Sequence, residues 1–509
     1  MLARTVSAAV LGVEALLIKI EVDLAKGLPA FDIVGLPNKA VRESRERVRS
    51  AIKNSGRDFP VKRITINMAP ADVKKIGPHF DLAIATGILA AAGEIDKQLL
   101  SDYLLVGELS LGGEVRQVKG VLPMALTALK EEKRGLLVPV ENYREAELVE
   151  GLEIIPLNSL ADTVKFFNRQ QVQTVPPEEN KDLKKTYHID FSEIKGQQEA
   201  RRALEVAAAG AHNLLMIGPP GSGKTMMARR VRTILPPLEK QEALELTKIY
   251  SIMGLTDINT GLMKERPFRA PHHNTSRAGL IGGGRIPEPG EVSLAHRGTL
   301  FLDEMPEFNR DVLEMLRQPL EEGLVTIIRS EMKVSFPADF MLIAAMNPCP
   351  CGYYGDNRQE CHCTVPAVNK YRSKISGPLL DRIDIHLQVP ALETDQITDN
   401  SGGEASISIR KRVIAARKIQ QQRYEKETFS LNSELRGQQL PEYCQVDKSG
   451  QRLLEAAIEE LGLSARAYDR ILRLARTIAD LEGCSAPRLK SVHLAEAVQY
   501  RNLDRRLQM

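Results

Sequence analysis

The stretch "NLLMIGPPGSGKTMMARRV", from Asn213 to Val231, limits the possible fold of this chain more than any other. An apolar run is followed by Gly218-x4-Gly223-Lys224-Thr225 and then by a helical pattern. This is a P-loop in the strand–loop–helix context that gives the motif its meaning. Its glycines let backbone N–H groups close around phosphates at the positive end of a helix. Gly218, Pro219, Pro220, Gly221, Ser222 and Gly223 are the candidate cradle. Lys224 is placed to reach the β- and γ-phosphates and Thr225 to bind Mg²⁺. ATP and Mg²⁺ are therefore the expected cofactors.

Two further apolar runs end in polar residues that complete such a site. In "GTLFLDEM" a buried strand ends at Asp303-Glu304. Asp303 is expected to hold Mg²⁺ through water, and Glu304 to polarise the attacking water as a general base. In "FMLIAAMNP" a second strand ends at Asn347, which is suited to orient that water from the other side. "GPLLDRIDIHLQV" places Arg382 after a short helix. An arginine there is surplus to the chain's own site. It suits a finger acting on a neighbour's γ-phosphate, or it is a surface arginine.

Composition narrows the setting. The chain has 509 residues, enough for two to four domains, with 43% apolar and 27% charged residues. Its net charge is +3, so any nucleic-acid contact must come from local clusters. The N-terminal "MLARTVSAAVLGVEALLIKI" is broken by Glu14 and Lys19, and no uncharged apolar run of about 18 residues occurs. The expectation is a soluble cytoplasmic protein without a membrane partner. Its six cysteines are then reduced or metal-bound rather than oxidised.

The pattern along the chain predicts an α/β protein in four segments. Residues 1–168 mix strands and helices. "LLIKIEVDL" alternates as a half-buried strand, and "NKAVRESRERVRSAIKNSG" reads as a helix with Val41, Val48 and Ile52 on one side. Residues 169–189 are polar, carry Pro176-Pro177 and read as a linker. Residues 190–395 hold the nucleotide motifs. After a polar break at Thr394–Ser406, residues 396–509 read as a helical lid.

Directly after Asn347, Cys349, Cys351, Cys361 and Cys363 form two Cys-x-Cys pairs around a loop with Gly352 and Gly355. Four thiolates this close suit tetrahedral Zn²⁺, with His362 able to replace one sulfur. The other reading is a set of reduced thiols in a surface loop.

Taken together, these residues resemble the AAA+ ATPases, with Gly196-Gln197 near the adenine. More narrowly the chain resembles the magnesium-chelatase-like ComM/YifB competence ATPases. The matching segments include "FDIVGLPNKAVRESRERVRSAI", "RPFRAPHHNTSRAGLIGGG", "PGEVSLAHRGTLFLDEMPEF", "NPCPCGYYGD", "SARAYDRILRLARTIADL" and "HLAEAVQYRNLDR". They cover nearly the whole chain. The resemblance implies a hexameric ring motor acting on single-stranded or branched DNA. It also implies that Arg382 is a finger acting in trans and that Arg466, or Arg470 one turn on, is a second sensor.

The N-terminal part is similar to the Lon protease fold. There a serine would follow Gly77-Pro78, but His79 does. The catalytic lysine would fall at Leu122, and Lys119 is out of register by about a helical turn. Without both groups no Ser-Lys dyad forms, so the fold is expected without proteolysis.

DNA contacts are expected from two places. The insert from Lys264 to Arg297 carries Arg269, Arg277 and Arg285, among other cations. The hairpin "GLVTIIRSEMKVSFP" carries Arg329 and Lys333 beside its tip. Cations there would contact phosphates without reading sequence; the bland reading is a solvated charged loop. Three functions compete with a DNA motor. A chelatase motor shares the core, but no Asp-x-Ser-x-Ser motif occurs in the chain. An ATP-dependent protease lacks its dyad. A remodelling protein that does not use DNA remains as the third.

Overall fold

A computed structural model describes residues 1–172, 189–329, 332–356, 358–393, 402–501 and 503. Most of the expected linker and most of the break after Glu393 lie outside these residues. The chain forms two compact units that do not follow chain order. The first comprises Met1–Lys184, Glu239–Lys264 and Ile328–Phe336, and the second comprises Lys185–Leu238, Glu265–Ile327 and Pro337–Met509. Two stretches read as part of the nucleotide-binding segment thus cluster with the first unit, and the lid shares a unit with the motifs. Long-range packing, which a linear reading does not see, decides this. The hydroxyl of Ser251 donates to the buried carboxylate of Glu145, which also accepts from Leu122 N at 3.0 Å.

The first unit is built on a seven-stranded mixed sheet. Its strands are β1 (Leu2–Leu11), β2 (Glu14–Ala25), β3 (Ala30–Val34), β4 (Arg63–Ala69), β5 (Tyr103–Leu105), β6 (Gly135–Pro139) and β7 (Glu153–Leu157), in the order β3-β4-β2-β1-β5-β6-β7. The alternation predicted for "LLIKIEVDL" puts Ile18, Ile20, Val22 and Leu24 inside. Helix α1 (Lys39–Asn54) is capped by Asn38 and buries Val41, Ser44, Val48, Ala51 and Ile52, close to the expected face. Helix α2 (Asp81–Ala92) is apolar on all sides because it is buried throughout, from Asp81 to Ala91. It stops at Gly93, whose φ of +93° favours glycine.

The would-be protease position is closed. His79 sits on a 3-10 turn, is only 7% exposed, and its Nε2 lies 3.0 Å from Ala8 O. Burial lowers its pKa to about 4. Leu122 is fully buried and Lys119 is exposed.

The second unit carries a five-stranded parallel sheet. Its strands are β8 (Leu214–Ile217), β9 (Phe268–Arg269), β10 (Thr299–Leu302), β11 (Met341–Met346) and β12 (Ile385–Gln388), in the order β9-β10-β11-β8-β12. Strands β8, β10, β11 and β12 bury almost every residue, as a parallel sheet covered on both faces requires. β8 lies between β11 and β12, so strand order reverses at its carboxyl end. That crevice is where open α/β sheets bind ligands. Helices α3 (Gln198–Gly210), α4 (Ser406–Arg423), α5 (Ala465–Leu481) and α6 (Ser491–Gln499) share one apolar core with the sheet. The hairpin strands Leu324–Arg329 and Met332–Pro337 pair as expected. No helix among the described residues is long and apolar enough to cross a membrane.

Candidate nucleotide site and cysteine cluster

The loop after β8 brings most of the expected nucleotide residues together. Gly221 and Gly223 have φ of +76° and +88°, which turn their N–H groups in a way other residues resist. A side chain at Gly218 would come within 2.0 Å of the carbonyl oxygen of Val389. The Lys224 ammonium is folded into its own loop, donating to Gly218 O at 2.7 Å and Pro219 O at 2.8 Å. It also lies 3.3 Å from Asn347 Oδ1 and 3.4 Å from Ser222 Oγ. Burial pulls its pKa down to about 8, against the opposing pull of Asp303 and Glu304. A desolvated ammonium on a loop with two glycines in the left-handed region fits a polyphosphate. Thr225 Oγ1 donates to Asp303 Oδ2 at 2.6 Å, so a hydroxyl and a carboxylate meet where Mg²⁺ would be held.

Glu304 follows at φ +50°, 58% exposed, with its Oε2 3.8 Å from His273 Nδ1. His273 belongs to the insert between Lys264 and Arg297, and nothing in its spacing put it beside Glu304. Gln197 precedes α3 in a left-handed conformation, and its side chain donates to Pro390 O at 2.7 Å.

The cysteine loop abuts this site. A side chain at Gly352 would meet the Pro220 ring at 2.6 Å. Sγ atoms of Cys349, Cys351, Cys361 and Cys363 all lie within 4.8 Å of one another, and none is in a disulfide. Cys349 is 3.3 Å from Cys351 and 3.7 Å from Cys361, and Cys351 is 3.6 Å from Cys361. Tetrahedral Zn²⁺ with Zn–S of about 2.3 Å places sulfurs about 3.8 Å apart, so the cluster fits the ion. The thiols split one another's titration: backbone donation from Tyr353 lowers the Cys351 pKa to about 6, while contact with Cys351 and Cys349 raises Cys361 and Cys363.

Arg382 stands away from this centre. The loop with Lys224 leaves the carboxyl end of β8, whereas Arg382 precedes the amino end of β12. The two strands are parallel, with Leu214 opposite Ile385 and Ile217 opposite Gln388. The four paired residues span about 10 Å at about 3.3 Å per residue, and Arg382 lies beyond one end of them. Arg382 pairs instead with Glu321 of its own chain and donates to Pro378 O at 2.7 Å. Arg466 is 70% exposed and lies 4.0 Å from Asp381, next to Arg382. Arg470 is buried with its Nε 3.5 Å from Asp384, and burial lowers its pKa to about 10.

The DNA candidates divide. Arg269 is paired with Glu291 through two hydrogen bonds of 2.6 and 2.7 Å. Arg277, Arg285, Arg329 and Lys333 are exposed.

A parallel sheet whose first strand carries a P-loop at the point of order reversal, with an acidic pair on a nearby strand, defines a P-loop module of the AAA+ class. Models described as "Magnesium chelatase, subunit ChlI", "Subunit ChlI of Mg-chelatase" and "Magnesium chelatase, subunit ChlI C-terminal" match residues 190–397, 20–142 and 403–501. The chain belongs to the ComM/YifB family of magnesium-chelatase-like proteins. It is 45% identical to competence protein ComM of Haemophilus influenzae, over 100% of this chain and 99% of that protein. It is 42% identical to YifB of Escherichia coli, over 98% and 97% of the two chains. A partial likeness, 29% identity over 31% of this chain, links it to Lon protease 2 of Bacillus subtilis.

Proposed function

We propose that this chain is an ATP hydrolase that works as a cytoplasmic homo-hexameric ring and moves on single-stranded or branched DNA during DNA uptake or recombination. The observation that carries the ring is the placement of Arg382. The parallel register of β8 and β12 puts it at the end of the sheet remote from Lys224. It therefore serves the γ-phosphate of a neighbouring subunit. Arg466 beside it is the second sensor, because Arg470 is committed to buried Asp384.

Within each site Lys224 neutralises phosphate charge, Thr225 and Asp303 hold Mg²⁺, and Glu304 and Asn347 bracket the attacking water. Mg²⁺ held there would supply charge neutralisation to the phosphates. Arg277, Arg285, Arg329 and Lys333 contact DNA phosphates. Cys349, Cys351, Cys361 and Cys363 would hold a structural Zn²⁺, and the loop they close packs on Pro220 beside Asn347. The DNA reading is supported by the competence protein, similar over the full chain.

The chelatase descriptions of the matching models favour a second reading, a motor that drives metal insertion without DNA. DNA-stimulated ATP hydrolysis separates the two. Stimulation by single-stranded or forked DNA that is lost on neutralising Arg329 and Lys333 is expected, and ATPase indifferent to DNA would sink the DNA motor. For the ring, Arg382→Ala mixed with Lys224→Ala should recover activity at shared interfaces. Removing one transition-state cation costs roughly 10³–10⁵-fold in such reactions, so the recovery stands out against silent parents.

A further inference from the structure

We propose that Asn213 is the positioning residue of the trans-acting arginine, locking the backbone of Arg382 to the strand that ends at Asn347. This rests on the reading of Arg382 as a finger for the neighbouring subunit. Asn213 immediately precedes β8, and every polar group it owns is used. Its main-chain N donates to Asp384 Oδ2 at 3.1 Å, and its carbonyl accepts from Asp384 N and Ile385 N, both at 3.0 Å. Its side chain splits between two targets. Oδ1 accepts from Leu342 N of β11 at 2.8 Å, and Nδ2 donates to the Arg382 carbonyl at 3.0 Å.

Only a short side-chain amide offers an acceptor and a donor in that arrangement. Alanine offers neither, and an ionised aspartate keeps the acceptor but loses the donor. The Arg382 loop is fixed from its other side as well. Arg501 donates to Ile383 O at 2.5 Å and to Asp384 O at 3.3 Å, and Asp384 lies 3.6 Å from buried His212. What Asn213 adds is a direct tie between this loop and β11. The same strand delivers Asn347 to 3.3 Å from Lys224. One amide thus sets the finger offered to the neighbour in register with the water-orienting strand of its own site.

The role is directional, and mixing experiments read the direction. Asn213→Ala should fold, bind fluorescent ATP with near wild-type affinity, and hydrolyse roughly 10- to 100-fold more slowly, since a misplacement of about 1 Å can cost about 10²-fold. In mixed rings it should recover activity with Lys224→Ala, which supplies a sound finger to its intact site. It should not recover with Arg382→Ala, to which it can offer only a misplaced finger. Asn213→Asp, which keeps the bond from Leu342, should behave the same way and guards against a folding defect of the alanine variant. Equal recovery with both partners, or wild-type turnover in both variants, overturns the proposal. Failure with both partners, while the control pair Lys224→Ala and Arg382→Ala recovers, also overturns it, because that marks a general structural defect. If the control pair stays silent in rings that assemble, the trans reading itself falls and takes this proposal with it.

Discussion

Thr225 donates its hydroxyl proton to Asp303 across 2.6 Å, joining the helix that leaves the P-loop to the end of β10. Glu304, one residue on, makes no such bond to the loop, and its 58% exposure leaves it open to water. This separates binding from hydrolysis. Thr225→Ala should weaken Mg²⁺-dependent nucleotide binding. Glu304→Gln should bind ATP normally and hydrolyse it about 10²–10⁴-fold more slowly, the usual worth of a general base. Nucleotide titration and phosphate release measure the two, and wild-type turnover in Glu304→Gln would remove it from the mechanism.

Lys224 gives a pH signature. Burial holds its pKa at about 8 without nucleotide. Phosphate anions favour the charged form, so the bound-state pKa is higher and binding takes up a proton wherever the free lysine is neutral. ATP affinity should be flat below pH 7 and fall as pH rises through about 8. Titrations in buffers of different ionisation heat should show proton uptake at pH 8.5. Affinity constant to pH 9.5 would contradict this.

The cysteine cluster should carry about one zinc per chain. Cys361→Ser combined with Cys363→Ser should lose the ion and most ATPase activity, because the loop packs on Pro220 and leads away from Asn347. Elemental analysis with a chelator titration reads both. Metal-free protein with full activity would make these cysteines bystanders.

His79 predicts acid sensitivity in the first unit and no peptidase activity. Its folded pKa of about 4 lies below the ordinary value of 6.5. The unfolded chain therefore binds the extra proton between these values. The stability contributed by neutral His79 is full above pH 6.5 and shrinks as pH falls to 4, by about 3 kcal/mol at most. His79→Gln, which can still donate to Ala8 O, should flatten the pH dependence of thermal unfolding over that window. Casein cleavage that survives Lys224→Ala would overturn the absence of a protease.

The candidate nucleotide residues, which the structure brings together, were legible because their signal is local. The P-loop, the acidic pair and Asn347 each end an apolar run, and parallel strands bring such ends together. Ile18 to Leu24 and the face of α1 were legible for the same reason, since period and burial coincide. The pairing of Arg269 was not legible, because its partner Glu291 lies far along the insert, where charge counting does not see it. Arg466 and Arg470 look alike in the sequence, and only the location of Asp384 shows that their surroundings differ. Asn213 looked like a strand-leading residue, and only the fold shows which two backbone groups its amide joins. The affiliation of Glu239–Lys264 with the first unit depends on packing against residues far away in the chain.

The register of β8 against β12 has a consequence for dosage. If phosphate cradle and finger cannot meet within one polypeptide, catalysis obeys mass action between subunits. Specific activity per molecule then falls on dilution, and the cell's stock of this chain acts as a threshold. On the proposed trans reading, the pairing of Arg382 with Glu321 would leave a lone, unassembled molecule idle rather than wasteful.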